Sequence, residues 1–191
     1  IECIQDEPGV ITAHTSWLLQ DSIFRQGVDQ TIIKLIESRF IDGRIYCQIQ
    51  RETVSIVSDQ IFDLESDKHH LLLASGTALR NDSVGPHHDN RGVTQEKISL
   101  VNPTPPETTE SPPELPPNED IYEGCGTEKL CFGFPGGCIS TQNCHLLTTI
   151  MRVNMEIYEF EMLSLRKNFF VSFSSMLKAT FVYSHAQLYC I

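Results

Sequence analysis

A proline-rich segment in the middle of the chain sets the strongest limit on its fold. From Pro103 to Pro117, in PTPPETTESPPELPP, seven of fifteen residues are proline and most of the others are Thr, Glu or Ser. Proline lacks the N–H that a strand ladder needs, and the polar residues supply no core, so residues 103–117 are predicted to be a linker. As polyproline II the linker would span roughly 45 Å. Two blocks, residues 1–102 and 118–191, remain to fold.

The cysteines predict an oxidising compartment. Seven occur in the chain, and four of them lie within twenty residues, at spacings of six, seven and six: Cys125, Cys131, Cys138 and Cys144. Zinc sites usually contain pairs of cysteines that are closer in sequence, so disulfides are favoured over zinc. Four cysteines allow three disulfide pairings. Cys190 is the candidate for the odd thiol. The sequon Asn81-Asp82-Ser83 adds a possible N-glycosylation site at Asn81.

Charge and hydropathy exclude two classes of protein. The net charge of −11 opposes nucleic-acid binding, because a polyanion is bound through clustered Lys and Arg, and no such cluster occurs. The longest apolar runs, such as Leu71 to Ala74, are far too short to span a bilayer. The chain starts at Ile1 without a charged-then-apolar leader, which suggests a processed product or a fragment.

Period-two alternation predicts an all-β fold. In residues 44–51 the apolar Ile45, Cys47 and Ile49 alternate with other side chains, and Asp42-Gly43 before them is a turn signal. Gln30 to Phe40 also suits a helix but is interpreted as a strand among short β-rich neighbours, which are Gly9 to Ala13, Thr53 to Val57 and His70 to Ala74.

The second block opens with the cysteine cluster, where five glycines predict little regular structure. Beyond it, the face carrying Tyr158, Phe160 and Met162 is predicted to be buried from Ile157 onward, after a bulge or turn. Phe169 to Phe173 is predicted to be another strand.

Several short motifs, spaced along both blocks, resemble those of DOMON domains. The closest resemblance is to the DOMON domains of the ferric-chelate reductase 1 and stromal-cell-derived receptor 2 family of animals. The first block is similar to the end of such a domain, through Glu2-Cys3-Ile4, Ser16-Trp17, Asp42 to Cys47, Phe62-Asp63-Leu64, His70 to Gly76 and Ser83 to His87. The second block resembles the beginning, through Tyr122 to Cys131, Gly137-Cys138, Asn143-Cys144 and Tyr158 to Met162. The tail after Phe170 departs from the family, which has a Lys-Met-Gly turn there.

The resemblance implies an immunoglobulin-like β-sandwich. Residues 1–102 would be the C-terminal part of one DOMON domain, and residues 118–191 the N-terminal part of a second one. One hypothesis is that the two parts pack as a single circularly permuted sandwich, because domain termini often lie close together and the linker is long enough to reach across. The alternative is two separate, incomplete domains, each with an exposed edge strand.

The resemblance also implies a cofactor. Electron-transfer members of the family hold b-type haem between a methionine and a histidine, which are suitable axial ligands for its iron. By position the histidine is His87, with His88 as the fallback, and Met176 could supply the methionine in a permuted sandwich. The alternative is that both histidines are solvated loop residues. A copper or zinc site at His69-His70 or His87-His88 is disfavoured, because adjacent strand residues face opposite ways.

The resemblance further implies a long-range disulfide between Cys3 and Cys47. No hydrolase or nucleotide-binding motif is present, so no catalytic residues are assigned. The predicted function is that of an extracellular or luminal fragment of a ferric-chelate-reductase-like protein, a haem b electron-transfer module whose partner is the membrane cytochrome b561 domain of the parent. The chain is not expected to reduce ferric iron alone. The alternative is a non-haem module that binds a sugar or a protein.

Overall fold

The computed structural model describes residues 1–7, 9–19, 22–24, 29–57, 60–76, 91–101, 121–165 and 168–174. They form fifteen strands and one short 3-10 turn, Gln30–Ile32. The strands are β1 Glu2–Glu7, β2 Val10–His14, β3 Trp17–Leu19, β4 Ser22–Phe24, β5 Ile33–Ile41, β6 Arg44–Glu52, β7 Val54–Val57, β8 Gln60–Asp63, β9 Lys68–Gly76, β10 Arg91–Val93, β11 Ile98–Ser99, β12 Leu130–Phe134, β13 Leu146–Arg152, β14 Ile157–Ser164 and β15 Asn168–Ser174.

Two antiparallel sheets contain most of these strands. Sheet I has the order β10-β9-β15-β1-β2, with β11 also paired to β9, and sheet II has the order β12-β13-β14-β6-β5. Strands β3 and β4 form a separate hairpin, as do β7 and β8. One buried apolar cluster takes side chains from both sheets, including Cys3, Leu71 and Leu73 of sheet I and Ile49 and Phe160 of sheet II. The predicted all-β sandwich is confirmed.

Both sheets combine strands from the two sides of the proline-rich segment. In sheet I, β15 lies between β9 and β1. In sheet II, β14 pairs with β6 over eight residue pairs, from Ile157 opposite Glu52 to Ser164 opposite Ile45. The two blocks therefore build one sandwich, as the packing hypothesis predicts, rather than two separate, incomplete domains. Residues 103–117 themselves lie outside the described residues.

The alternating patterns locate the buried faces. Ile45, Cys47 and Ile49 are buried on β6, while Tyr158, Phe160 and Met162 are buried on β14. A turn at residues 153–156 precedes β14, where the sequence predicts a bulge or turn. The segment from Gln30 is a 3-10 turn followed by a strand, and the side chain of Asp29 caps the turn by accepting from the backbone N–H of Thr31.

The cysteine cluster is more regular than the sequence analysis predicts. Strand β12 runs through it, and the prediction of little regular structure is wrong for Leu130–Phe134. The reason is a period-two pattern within the cluster, because Leu130, Phe132 and Phe134 pack against the core while Cys131 and Gly133 alternate with them. Strand β13, which pairs with β12, was also not predicted.

The Cys3–Cys47 disulfide joins the two sheets through the core. Cys3 lies on β1 of sheet I and Cys47 on β6 of sheet II, and both are fully buried. It is the pair that the family resemblance implies. The other two disulfides, Cys125–Cys131 and Cys138–Cys144, each close a short loop next to β12.

Removing the cross-sheet disulfide should destabilise the protein more than removing a local one. In the chain-entropy description, closing the 44-residue separation between Cys3 and Cys47 stabilises by about 4 kcal/mol, and closing the six-residue separation between Cys125 and Cys131 by about 2 kcal/mol. Urea unfolding of Cys3→Ala/Cys47→Ala and of Cys125→Ala/Cys131→Ala measures the difference. Equal losses in the two double variants would contradict the assignment of Cys3–Cys47 as the principal cross-link.

Candidate functional site

The outer face of sheet II carries a connected set of polar side chains, here called the outer polar network. Its members lie on three neighbouring strands and just before a fourth. They are Tyr46, Gln48 and Gln50 on β6, Glu159 and Glu161 on β14, Thr149 on β13 and Lys129 before β12. Alternation places them on the face opposite the core, because their neighbours Cys47, Ile49 and Phe160 point inward.

Glu161 is the centre of the network. Its Oε2 accepts from Lys129 Nζ at 2.8 Å and from Thr149 Oγ1 at 2.8 Å, while its Oε1 accepts from Tyr46 Oη at 3.0 Å. The side chains of Lys129 and Glu161 are only 11% and 17% exposed. This ion pair is therefore better shielded from water than an ordinary surface pair, and its loss leaves a poorly solvated charge.

Glu159 forms the second part of the network. Gln48 Nε2 donates to its Oε1 at 2.9 Å, and Gln50 Nε2 donates to its Oε2 at 3.4 Å. At the edge of the same sheet, Arg39 on β5 pairs with Glu37. The face thus presents ordered amides and carboxylates in a row across the strands.

Tyr46 acts as a hydrogen-bond donor in this network. Burial raises the pKa of Tyr46 well above its usual value, and the negative charge of Glu161 raises it further. The hydroxyl therefore keeps its proton at physiological pH and donates it to Glu161. Each hydrogen bond named above joins two protein groups, so the network fixes the positions of its own side chains.

The disulfide-linked loops cover one end of this face. A second buried cluster packs there on Leu147 and Leu163, and it consists of Ile121, Tyr122, Cys138 and Cys144 together with those two leucines. The hydroxyl of Tyr122 accepts from the backbone N–H of Cys144 at 3.1 Å. The ion pair of Lys129 with Glu161 fixes the neighbouring loop closed by Cys125–Cys131.

Gly133 allows the Cys138–Cys144 disulfide to lie directly on β12. A Cβ atom at this position would be 2.6 Å from the Sγ atoms of both Cys138 and Cys144. Such a separation is far below van der Waals contact, so only glycine lets the sulfur atoms approach the strand this closely.

The residues proposed from the sequence for haem binding and glycosylation lie outside the described part of the chain. These are His87, His88, Met176 and Asn81, and the candidate free thiol Cys190 lies outside it as well. The six remaining cysteines form the three disulfides described above.

The described strands that lead to the proposed haem ligands end far apart. Strand β9, which precedes the segment with His87 and His88, ends at Gly76, and Gly76 pairs with Asn168 at the start of β15. Strand β15, which precedes Met176, ends at Ser174, opposite His70 near the start of β9. Gly76 and Ser174 are thus at opposite ends of sheet I.

The two histidines at the start of β9 contact different backbone carbonyls. His69 is fully buried with its Nε2 3.1 Å from the backbone oxygen of Asp63, and burial lowers the pKa of its imidazole. His70 has its Nδ1 3.1 Å from the backbone oxygen of Thr94. Among the residues that the structure describes, no group of three or more His, Cys, Asp or Glu could hold a metal ion.

Sequence analysis did not identify the outer polar network. The sequence does predict which way its two carboxylates face, because the burial of Tyr158, Phe160 and Met162 places Glu159 and Glu161 on the opposite face. Their partners on β6 are more than a hundred residues away in sequence, and only the strand register brings Gln48 opposite Glu161.

The fold and these contacts define a class of protein, an all-β sandwich with three disulfides and a polar outer face. Part of the chain is similar to a protein of Drosophila melanogaster described as "Putative ferric-chelate reductase 1 homolog", with 40% identity over 80 residues. The match covers 42% of this chain and 12% of the length of that relative. No family model matches the chain, and no solved structure matches it.

The similarity suggests a protein related to ferric-chelate reductases. The three disulfides are compatible with an extracellular or luminal location, because such bonds persist in oxidising compartments. None of the helical structure in the described ranges is long and apolar enough to cross a membrane.

Loss of the Glu161 charge should weaken the fold. Glu161→Gln removes the counter-charge of the shielded Lys129 ammonium, and we expect it to lower the free energy of unfolding by roughly 1–3 kcal/mol. Glu123→Gln, at an exposed position in the loop region, is the control and should change it by less than about 0.5 kcal/mol. Urea unfolding measures both variants. Adding Lys129→Met to Glu161→Gln should recover part of the loss, and strictly additive effects would exclude the proposed coupling.

A methyl group at Gly133 should disturb the disulfide-linked region. We expect Gly133→Ala to lower the free energy of unfolding by roughly 1–3 kcal/mol, because the Cβ would overlap both sulfur atoms. Gly136→Ala is the matched control, since an added Cβ there meets nothing within 4 Å. Thermal unfolding compares the two variants, and equal melting temperatures would show that the close approach at Gly133 is not a constraint.

Proposed function

We propose that this chain is an extracytoplasmic β-sandwich module of a ferric-chelate-reductase-like protein. The observation that carries the proposal is the 40% identity over 80 residues to the Drosophila protein. The cross-sheet disulfide supports it, because a stable Cys3–Cys47 bond requires an oxidising compartment. In the same compartment Asn81 would be available for N-glycosylation. A membrane cytochrome b561 domain of the parent protein would be the electron-transfer partner.

The module would act in electron transfer through haem b. Haem supplies a one-electron carrier whose potential is set by its axial ligands, and imidazole and thioether are both suitable donors. The histidine pair His87-His88 fits this donor chemistry. Met176 would supply the thioether. The proposal therefore depends on His87 or His88 together with Met176.

The packing of the described core bears on where a haem would bind. The space between the sheets is occupied by large side chains, such as Tyr158, Phe160 and Ile49, all fully buried. A macrocycle would accordingly bind at an end of the sandwich rather than between the sheets. At the end of the sandwich where Gly76 lies, the protein would hold the haem and restrict the access of water to it.

The outer polar network favours a second candidate function, a module that binds a sugar or a protein without haem. Ordered amides and carboxylates, such as Gln48 and Glu159, resemble the few fixed polar groups that orient ligands in binding sites. Glycan binding by a protein that takes up no haem would support this second function.

Haem reconstitution tests the primary proposal. The full chain, incubated with haemin and freed of excess, should show a Soret band and a spectrum that ascorbate reduces reversibly. The variant His87→Ala/His88→Ala should lose the band, and His145→Ala should keep it. Met176→Leu should shift the band or weaken haem uptake, because it removes the proposed thioether ligand. A wild-type chain with intact disulfides and no Soret band would exclude the haem function.

A further inference from the structure

The β7–β8 hairpin exposes apolar side chains on one face. Ile56 and Ile61 lie directly opposite each other on the two strands and are 66% and 67% exposed. Val54 is exposed on the same face, two residues before Ile56. The alternate residue Ser55 is buried and accepts a hydrogen bond from Arg51, so the hairpin is anchored through its other face.

A second exposed apolar segment lies beside the hairpin. In the turn between β13 and β14, Met155 is 81% exposed and Val153 is also exposed. The backbone N–H of Thr53 donates to the carbonyl of Glu156 at 2.7 Å, and the Thr53 hydroxyl donates to the carbonyl of Met155 at 3.1 Å. Because Thr53 immediately precedes β7, these bonds hold the turn against the hairpin. Five residues make up this surface, here called the apolar tip: Val54, Ile56, Ile61, Val153 and Met155.

Carboxylates border the apolar tip. Asp63 is opposite Val54 on the hairpin, Glu52 ends β6 two residues before Val54, and Glu156 follows Met155. The nearby Arg152 is paired with Glu65 at 2.8 Å, which neutralises it. The border is therefore acidic.

The hairpin also offers backbone for pairing. Within the part of the chain that the structure describes, β7 and β8 form a sheet of two strands and pair with no third strand. An edge strand of this kind can accept an extended peptide, whose main chain adds to the sheet while alternate side chains contact one face.

We propose that the apolar tip binds an extended segment of another protein, with apolar residues at alternate positions and Lys or Arg at its flanks. The apolar side chains would cover Ile56 and Ile61, and the basic residues would meet the acidic border. A second copy of the chain is a poorer occupant, because a net charge of −11 and the acidic border repel an identical surface. A lipid surface is also less suited, because the acidic border repels anionic headgroups and Arg152 is already paired with Glu65.

Selection from a displayed library of random twelve-residue peptides on the full chain tests this proposal. Counter-selection uses Ile56→Ser/Ile61→Ser, whose disulfides and unfolding transition should match those of the wild type because both positions are exposed. Enriched peptides should show alternating apolar residues with flanking Lys or Arg. The consensus peptide should bind the double variant at least about tenfold more weakly.

Met155→Ser should also weaken binding. Val10→Ser, at an exposed apolar position on sheet I, is the control and should not. Hydrogen exchange at β8 should slow on binding.

Four outcomes would overturn the proposal. One is the absence of enrichment over the double variant, and another is binding that is unchanged by Ile56→Ser/Ile61→Ser. A chain that dimerises, with the dimer lost in the double variant, would assign the tip to self-association. Co-flotation with phosphatidylcholine vesicles that depends on Ile56 and Ile61 would assign it to a lipid surface. None of these results depends on haem, so failure here is distinguishable from failure of the electron-transfer function.

Discussion

The Cys3–Cys47 disulfide is the constraint on which the rest of the sandwich depends. It crosses the core between β1 and β6, and each of these strands pairs with a strand from the far side of the proline-rich segment. Cys3 lies opposite Phe169 on β15, and Cys47 lies opposite Met162 on β14. The bond therefore fixes the two central strands of the first block at the places where the second block must pair. Antiparallel pairing over long sequence separations carries a large entropic cost, and a pre-formed cross-link reduces the number of arrangements that have to be searched.

Shielded charges lie both in the interior and on the outer face of sheet II. Inside, Arg51 is almost fully buried, and burial lowers the pKa of its guanidinium to about 10, so it remains charged at physiological pH. Ser55 accepts from this group at 2.6 Å, which ties the β7–β8 hairpin to β6. Outside, Lys129 and Glu161 tie the cysteine-rich loop to β14. In both places a charged side chain holds a peripheral element on the sheet.

Sequence patterns predict the faces of the strands better than their partners. The alternation in β6 and β14 was sufficient to assign Ile45, Cys47, Phe160 and Met162 to the core, because burial on one face imposes a period of two. The sequence does not predict β12, because glycines are typical of irregular structure, whereas Gly133 is required by the sulfur atoms packed against it. The outer polar network could not be derived, since it depends on the register between β6 and β14, which are separated by more than a hundred residues. Its carboxylates were predictable as outward-facing, but their hydrogen-bond partners were not.

The haem function and the peptide docking proposed above are assigned to opposite ends of the sandwich. The ion pair of Arg152 with Glu65 places the start of β9 next to the end of sheet II that contains Glu52 and Ile157, and the apolar tip lies at this end. Gly76, from which the segment with His87 and His88 continues, lies at the other end of β9. A nine-residue strand such as β6 separates the two ends by roughly 25–30 Å at about 3.3 Å per residue. A partner bound at the apolar tip would therefore leave the Gly76 end accessible, so docking to another protein and exchange of electrons could occur on one module at the same time.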